Sequence, residues 1–287
     1  MSSREAGHRA IDVKCNPQKI TPASHFDGIK ELRCCIAELL DARDPDRIAV
    51  FPSVSYGMAI VAANLHRVAN ISHKSNIVVL QDEFPNDTYA FCRVAEELSL
   101  SISPIPQPQD FDLMGDLWNL QLLEGITVAT AAVIVPNVHW MFGVVFDLEA
   151  IANKCRDCGS LLIVDASQSV GALPLDVGYK WVFGPYSLSF GYFGEFFDGG
   201  VPVEESWMNR VDSHQFSSLT NLKTEYRPKA QRYNMGESSD FIHAAILQDA
   251  LKQLLRWRVA KVQDYARALS GELVAGLADL AKKGGER

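Results

Sequence analysis

Four apolar runs, RIAVF (47–51), NIVVL (76–80), TVATAAVIV (127–135) and LLIVD (161–165), punctuate this chain, and their alternation with helical periodicity limits its fold more than any other feature. The first three are followed by a small or polar turn and then a helical stretch: Met58 to Leu65, Thr88 to Leu98, and Asp147 to Asp157. Upstream, residues 26–40 put Phe26, Ile29, Leu32, Ile36 and Leu39/Leu40 on one face, the spacing of an amphipathic helix. Asp147 is placed to cap its helix and Gly159 to stop it. Near-continuous apolar strands separated by helices predict an α/β fold with a mainly parallel sheet and helices on both faces. Ligands of such sheets gather at the carboxyl ends of the strands. The segments to search are therefore 52–57, 82–87, 136–143 and 165–169. From about Asp240 onward the pattern is helical without a strand signal, so we expect a large α/β domain over 15–235 and a helical connection into a second unit over 236–287.

The 287 residues are 47% hydrophobic and 22% charged, ordinary values for a chain with a substantial core. A formal net charge of −8 argues against a nucleic-acid partner. The longest strongly apolar run, Ile126 to Val135, is half of what a membrane helix needs (about twenty residues). The opening MSSREAGHRA has no apolar core of a secretion signal, so the expectation is a soluble, cytoplasmic protein. Cys155 and Cys158 form a CxxC inside a helical pattern, without the second pair or histidines a zinc site wants, and no metal is expected.

Four local signals carry chemistry. Asp165 ends an apolar strand and Gln168 follows three residues on; a buried carboxylate there needs a cationic or hydrogen-bonding partner, though a turn aspartate reads the same way. Lys180 lies between Tyr179 and Trp181, where lost solvation would lower its pKa and suit it to Schiff-base chemistry; taken alone, a lysine is far more often a surface charge. Ser53-Val54-Ser55-Tyr56-Gly57 joins a strand to a helix, either a plain N-cap or an anion site. Phe84, in Asp82 to Asp87, could stack on a flat ring or fill a core.

Taken in order, PSVSYG, DEFP, NVHW, DxxQ and GYKW resemble the class-V aminotransferase group of pyridoxal-phosphate (PLP) enzymes, which includes cysteine desulfurases, kynureninase and isopenicillin-N-epimerase relatives. The resemblance runs from about Ile20 to Ala275. It implies a PLP-dependent transferase fold with an aspartate-aminotransferase-like large domain, pyridoxal 5'-phosphate as cofactor, and an amino acid as small-molecule substrate. Lys180 would hold the cofactor as an internal aldimine and move the substrate's Cα proton. Asp165 would pair with the protonated ring nitrogen and Gln168 with the ring's phenolic oxygen. Ser55, the Tyr56 N–H and Tyr179 would hold the phosphate, Phe84 would stack on the ring, and Trp140 would stand near the ring oxygen. Gly236 to Ser239 falls where the family reaches the neighbouring subunit's phosphate, which implies a homodimer.

The chain also departs from that pattern. Relatives have a further hydrophobic strand ahead of the GYKW-like segment, whereas here Val177 runs straight into Gly178. Where relatives have GPYGxGxLY, this chain reads GPYSLSFGY, with Ser187 and Ser189 in place of two glycines. No residue matches the arginine that clamps the substrate carboxylate, and most of the C-terminal small domain is expected to be absent. No cysteine follows Cys158, which speaks against desulfuration. The competing expectation is a non-catalytic descendant of the same fold. A serine hydrolase would need a GxSxG elbow, which the chain lacks.

Overall fold

The computed structural model describes residues 3–171 and 182–284. Its regular elements are α1 (Ser3–Lys14), α2 (Asp27–Leu39), β1 (Ile48–Phe51), α3 (Val54–Ala63), β2 (Asn76–Leu80), α4 (Tyr89–Leu98), β3 (Ser101–Ile105), α5 (Met114–Gly125), β4 (Thr130–Pro136), α6 (Leu148–Cys158), β5 (Leu161–Asp165), β6 (Ser189–Tyr192), α7 (Phe241–Trp257) and α8 (Val259–Gly284).

Four strands form a parallel sheet in the order β3-β2-β4-β5. Side chains alternate across a strand, so β2 and β4 feed two cores. Ile77, Val79, Ala132 and Ile134 pack with Met58 and Val61 of α3 and Phe91 and Val94 of α4. Val78, Leu80, Val133 and Val135 pack on the other face with Trp118 and Leu122 of α5 and Ile151 and Cys155 of α6. Helices thus cover both faces, and all seven residues of β4 are buried. Each large apolar side chain so enclosed contributes about 1.5–3 kcal/mol relative to exposure. The Asp147 side chain accepts the Ala150 N–H at the start of α6, and Gly159 ends that helix at φ +63°, a conformation glycine adopts without steric cost.

The single sheet expected from sequence is divided. β1 joins β6 in a separate antiparallel pair, Ile48 opposite Tyr192 and Phe51 opposite Ser189. A short apolar run announces a buried strand but says nothing of its partner or direction. The outer edge of β1 is closed by residues 234–235: the Val50 N–H donates to the Asn234 side chain at 2.8 Å and the Met235 N–H to the Val50 carbonyl at 2.9 Å. Among the described residues, β5 and β6 have no strand on their remaining edges. Both border a cleft of about 130 Å³ lined by Leu162 and Val164 of β5, Met58 and Val61 of α3, and Phe190 and Phe193.

A third core joins β1 and β6 to helices. Ile48, Val50 and Phe190 pack with Leu32 and Ile36 of α2 and Leu247 and Leu251 of α7. α7 also packs along α1, where Ala6, Gly7 and Ala10 let the helices approach closely; a Cβ on Gly7 would lie 3.1 Å from Ile246. α8 leaves this body after Arg258 (φ +65°) with Leu269, Leu273 and Leu277 exposed. Among the described residues no helix is long and apolar enough to cross a membrane.

Candidate active site

The carboxyl ends of β1, β4 and β5, the segment after β2 and the residues leading into β6 enclose a cavity of about 300 Å³. Because β4 and β5 both deliver their last residues, Pro136 and Asp165, to this rim, it is the place the α/β architecture reserves for a ligand.

Ser53 ends the β1 turn in an extended conformation and caps α3, its Oγ accepting the Tyr56 N–H at 3.2 Å and lying 2.9 Å from the Ser55 Oγ. The Tyr56 N–H is engaged by the cap, and Ser53 and Val54 line the cavity, whereas Ser55 and Tyr56 do not. The Tyr56 ring stacks at 6.1 Å on Phe51, and its hydroxyl donates to Glu204 at 3.0 Å. Burial and that carboxylate push the phenol well above its ordinary pKa. Glu204 Oε2 also accepts the Gly236 N–H at 2.9 Å, tying the 236–239 segment to the start of α3.

Beyond β2, Phe84 is 40% exposed and meets Trp140 edge to face at 5.6 Å. The Trp140 indole N–H donates to the Asp82 carbonyl at 2.8 Å, which ties the segment after β4 to the segment after β2. The two rings form an aromatic wall with accessible faces. Beneath it, His139 is buried against Trp118 and Phe142 at 4.9 and 5.2 Å, and its imidazole pKa is lowered by burial. Phe84 is thus a cavity aromatic and not a core one.

Asp165 closes β5. Its Oδ1 accepts the Ser167 N–H at 2.9 Å and the Ser167 hydroxyl at 2.6 Å, an arrangement that fixes the carboxylate. Gln168 follows on the same wall. Opposite the strand ends, Ser187 enters the lining at φ +69°. This is the first of the two serines that stand where glycine was expected, and the left-handed region costs an L-residue about 1–2 kcal/mol. Ser189, the second, is in β6 and unstrained. Replacing Ser187 with glycine is expected to raise the unfolding free energy, read from urea denaturation, by about 0.5–1 kcal/mol, the relief being partly offset by a freer unfolded chain.

Sequence reasoning passed over Glu83, which also lines the cavity and is only 9% exposed. Its signal was an acidic residue in the turn three positions after an apolar strand, weaker than that of Asp165, which ends its strand. Lys180 and Tyr179 lie outside the described residues. Of the sequence candidates, the structure therefore gathers Phe84, Trp140, Asp165 and Gln168 around one cavity, with Ser55 reaching it through Ser53. The CxxC cysteines sit on α6 far from this chemistry, Cys155 buried with its thiol pushed up to about 12. Among the described residues no three His, Cys, Asp or Glu side chains are grouped to hold a metal.

The family profile for aminotransferase class-V matches residues 18–180, a span that contains every one of these cavity segments up to Gln168. The chain belongs to the aminotransferase class-V family. Among curated proteins of the family, it is 27% identical over 250 residues to the uncharacterized aminotransferase YcbU of Bacillus subtilis (strain 168), covering 83% of this chain and 62% of that one. It is 24% identical over 159 residues to a kynureninase of Burkholderia mallei, covering 55% of this chain and 36% of the enzyme. The chain thus spans less than two thirds of the length of these class-V relatives. Solved structures share the fold. The cystine C-S lyase C-DES, in complex with its product cysteine persulfide, superposes with a TM-score of 0.74 at 20% identity over 91% of this chain and 70% of the lyase. A cysteine desulfurase from Thermococcus onnurineus NA1 gives 0.75 at 19% identity over 96% and 70%. A lysine-to-alanine mutant of C-DES carries glycine covalently linked to its PLP cofactor, and superposes with a TM-score of 0.74 at 21% identity over 90% and 69%.

Proposed function

We propose that the cavity binds pyridoxal 5'-phosphate and that the chain acts on an amino acid by transamination or related chemistry at Cα or Cβ. The observation that carries this reading is the convergence of Asp165, Gln168, the Phe84–Trp140 wall and the Ser53 cap on one cavity of about 300 Å³. These groups match the cofactor's parts. The fixed Asp165 carboxylate holds a proton on the ring nitrogen, the Gln168 amide orients the ring oxygen, and the aromatic wall excludes water from one face. The Ser53 and Ser55 hydroxyls, at the N-terminus of α3, favour the phosphate end. When bound, the cofactor supplies an electron-withdrawing ring that makes the amino acid's Cα proton removable. Lys180 is the amine that anchors the cofactor's aldehyde and then carries that proton, and Tyr179 is a further phosphate ligand. The 236–239 segment, held near α3 through Glu204, serves the phosphate of a neighbouring copy in a homodimer.

The test is optical and covalent. Adding the cofactor to purified protein should raise a visible absorbance band that borohydride bleaches, with peptide mapping placing the reduced label on Lys180. No band and no label on Lys180 would overturn the reading. A second reading, cofactor binding without turnover, is favoured by the absence, among the described residues, of a ladder between β5 and β6 beside Asp165. It predicts a labelled Lys180 and no reaction with any amino acid.

A further inference from the structure

Glu83 stands out among the buried groups that the proposed chemistry leaves unused. It is 9% exposed and borders the cavity. Its Oε1 accepts the Phe84 N–H at 2.8 Å. Its Oε2 is buried and has no hydrogen-bond partner among the described residues. Leaving a buried polar atom unmatched is costly, and the cost is removed when a ligand supplies the partner. Burial pushes this carboxyl up to about 7; the Phe84 N–H opposes the rise and the charge of Asp165 adds to it. The side chain therefore keeps its proton below that value, is divided between acid and anion near neutrality, and in its acid form has a proton to give. The titratable neighbours are Asp82 and Asp87 on its own segment, Asp165 at the end of β5, His139 beyond β4, and Tyr186 in the cavity lining.

We propose that Glu83 is a second carboxyl of the site, donating a hydrogen bond through Oε2 to an acceptor oxygen of the bound cofactor and so positioning it against Asp165. The inference rests on the reading of the cavity as a PLP site. It assigns the two acids different tasks. Asp165, fixed by two donors from Ser167, is the partner of the ring nitrogen. Glu83, more deeply enclosed, is the neutral donor. Ionisation of Glu83 would remove the donor and place a second negative charge in a cavity that must hold a phosphate ester.

The experiment titrates apo protein with pyridoxal 5'-phosphate, following quenching of tryptophan fluorescence (Trp140 lines the cavity) on both sides of pH about 7. Wild-type affinity should fall as pH rises through that value. Glu83→Gln, which keeps a donor and cannot ionise, should bind with the wild type's low-pH affinity throughout. Glu83→Ala should bind more weakly at every pH, on the order of tenfold. Ionisations of the cofactor itself affect all three proteins alike and cancel in the ratio of wild type to Glu83→Gln. A readout without cofactor accompanies this one. A carboxyl whose folded value lies above its ordinary 4.5 holds a proton the unfolded chain releases, so wild type should lose stability relative to Glu83→Gln as pH rises from 4.5 to about 7. Superimposable pH profiles for wild type and Glu83→Gln, in binding or in stability, would overturn the role of Glu83 and leave the cofactor site standing. No binding by wild type at any pH would overturn the site and this inference together.

Discussion

Asp165→Ala is expected to weaken pyridoxal 5'-phosphate binding by about 2–5 kcal/mol, roughly thirtyfold or more in Kd, because it strips the partner from a charge that must sit at the base of a closed cavity. The carboxylate is well set for that task. Ser167 pins Oδ1 with two hydrogen bonds, and the Asn137 N–H donates to the Asp165 carbonyl at 3.1 Å, so the side chain is aimed before any ligand arrives. Asp165→Asn separates charge from shape. It keeps the size and an oxygen for Ser167 but cannot hold the ring nitrogen's proton by charge. Binding should be reduced less than in Asp165→Ala, and the visible band of the bound cofactor should shift. Equal affinity of all three proteins, measured by equilibrium titration, would remove Asp165 from the site.

The largest stability effect is expected from Trp118→Ala, about 3–5 kcal/mol as read from a denaturant midpoint at unchanged slope. Trp118 on α5 is fully buried, its indole N–H donates to the Ile105 carbonyl at 3.3 Å, and its ring meets His139, Phe142 and Phe146. It is the packing beneath the turn that carries Trp140. The residue touches no ligand, yet its loss should also loosen cofactor binding by letting the aromatic wall drift, since small displacements of positioning groups are expensive. A Trp118→Phe variant, which keeps most of the buried ring, should recover most of both losses.

The parts of the fold that were legible in the sequence are those where burial leaves a period. α2 shows one apolar stripe, α6 carries both its cap and its stop, β2 and β4 are runs of buried residues, and β5 is an apolar run, half-buried around the buried Ile163. α1 left no such trace because it is buried only through Ala6, Gly7 and Ala10, small residues that a hydrophobicity pattern does not weigh. α5 did carry Met114, Trp118 and Leu122 at helical spacing, a signal that was present and not taken up. β6, four residues with a glycine, is a strand chiefly because β1 pairs with it, which is a tertiary fact. The site divided similarly. Asp165, Gln168, Phe84 and Trp140 were legible from their order along the chain. That the Tyr56 N–H is used up by Ser53 depends on the cap's geometry. The importance of Glu83 depends on how deeply it is enclosed, and neither quantity is written in a residue type.

The break between β5 and β6 has a consequence for the behaviour of the whole molecule in solution. Among the described residues, two rows of main-chain amides and carbonyls line an oily crevice, and what bridges them is side-chain contact through α3 instead of a ladder. Bare strand margins of this kind are templates for any other extended polypeptide. Concentrated samples of this protein should therefore be prone to associate through these edges, which light scattering against concentration would register.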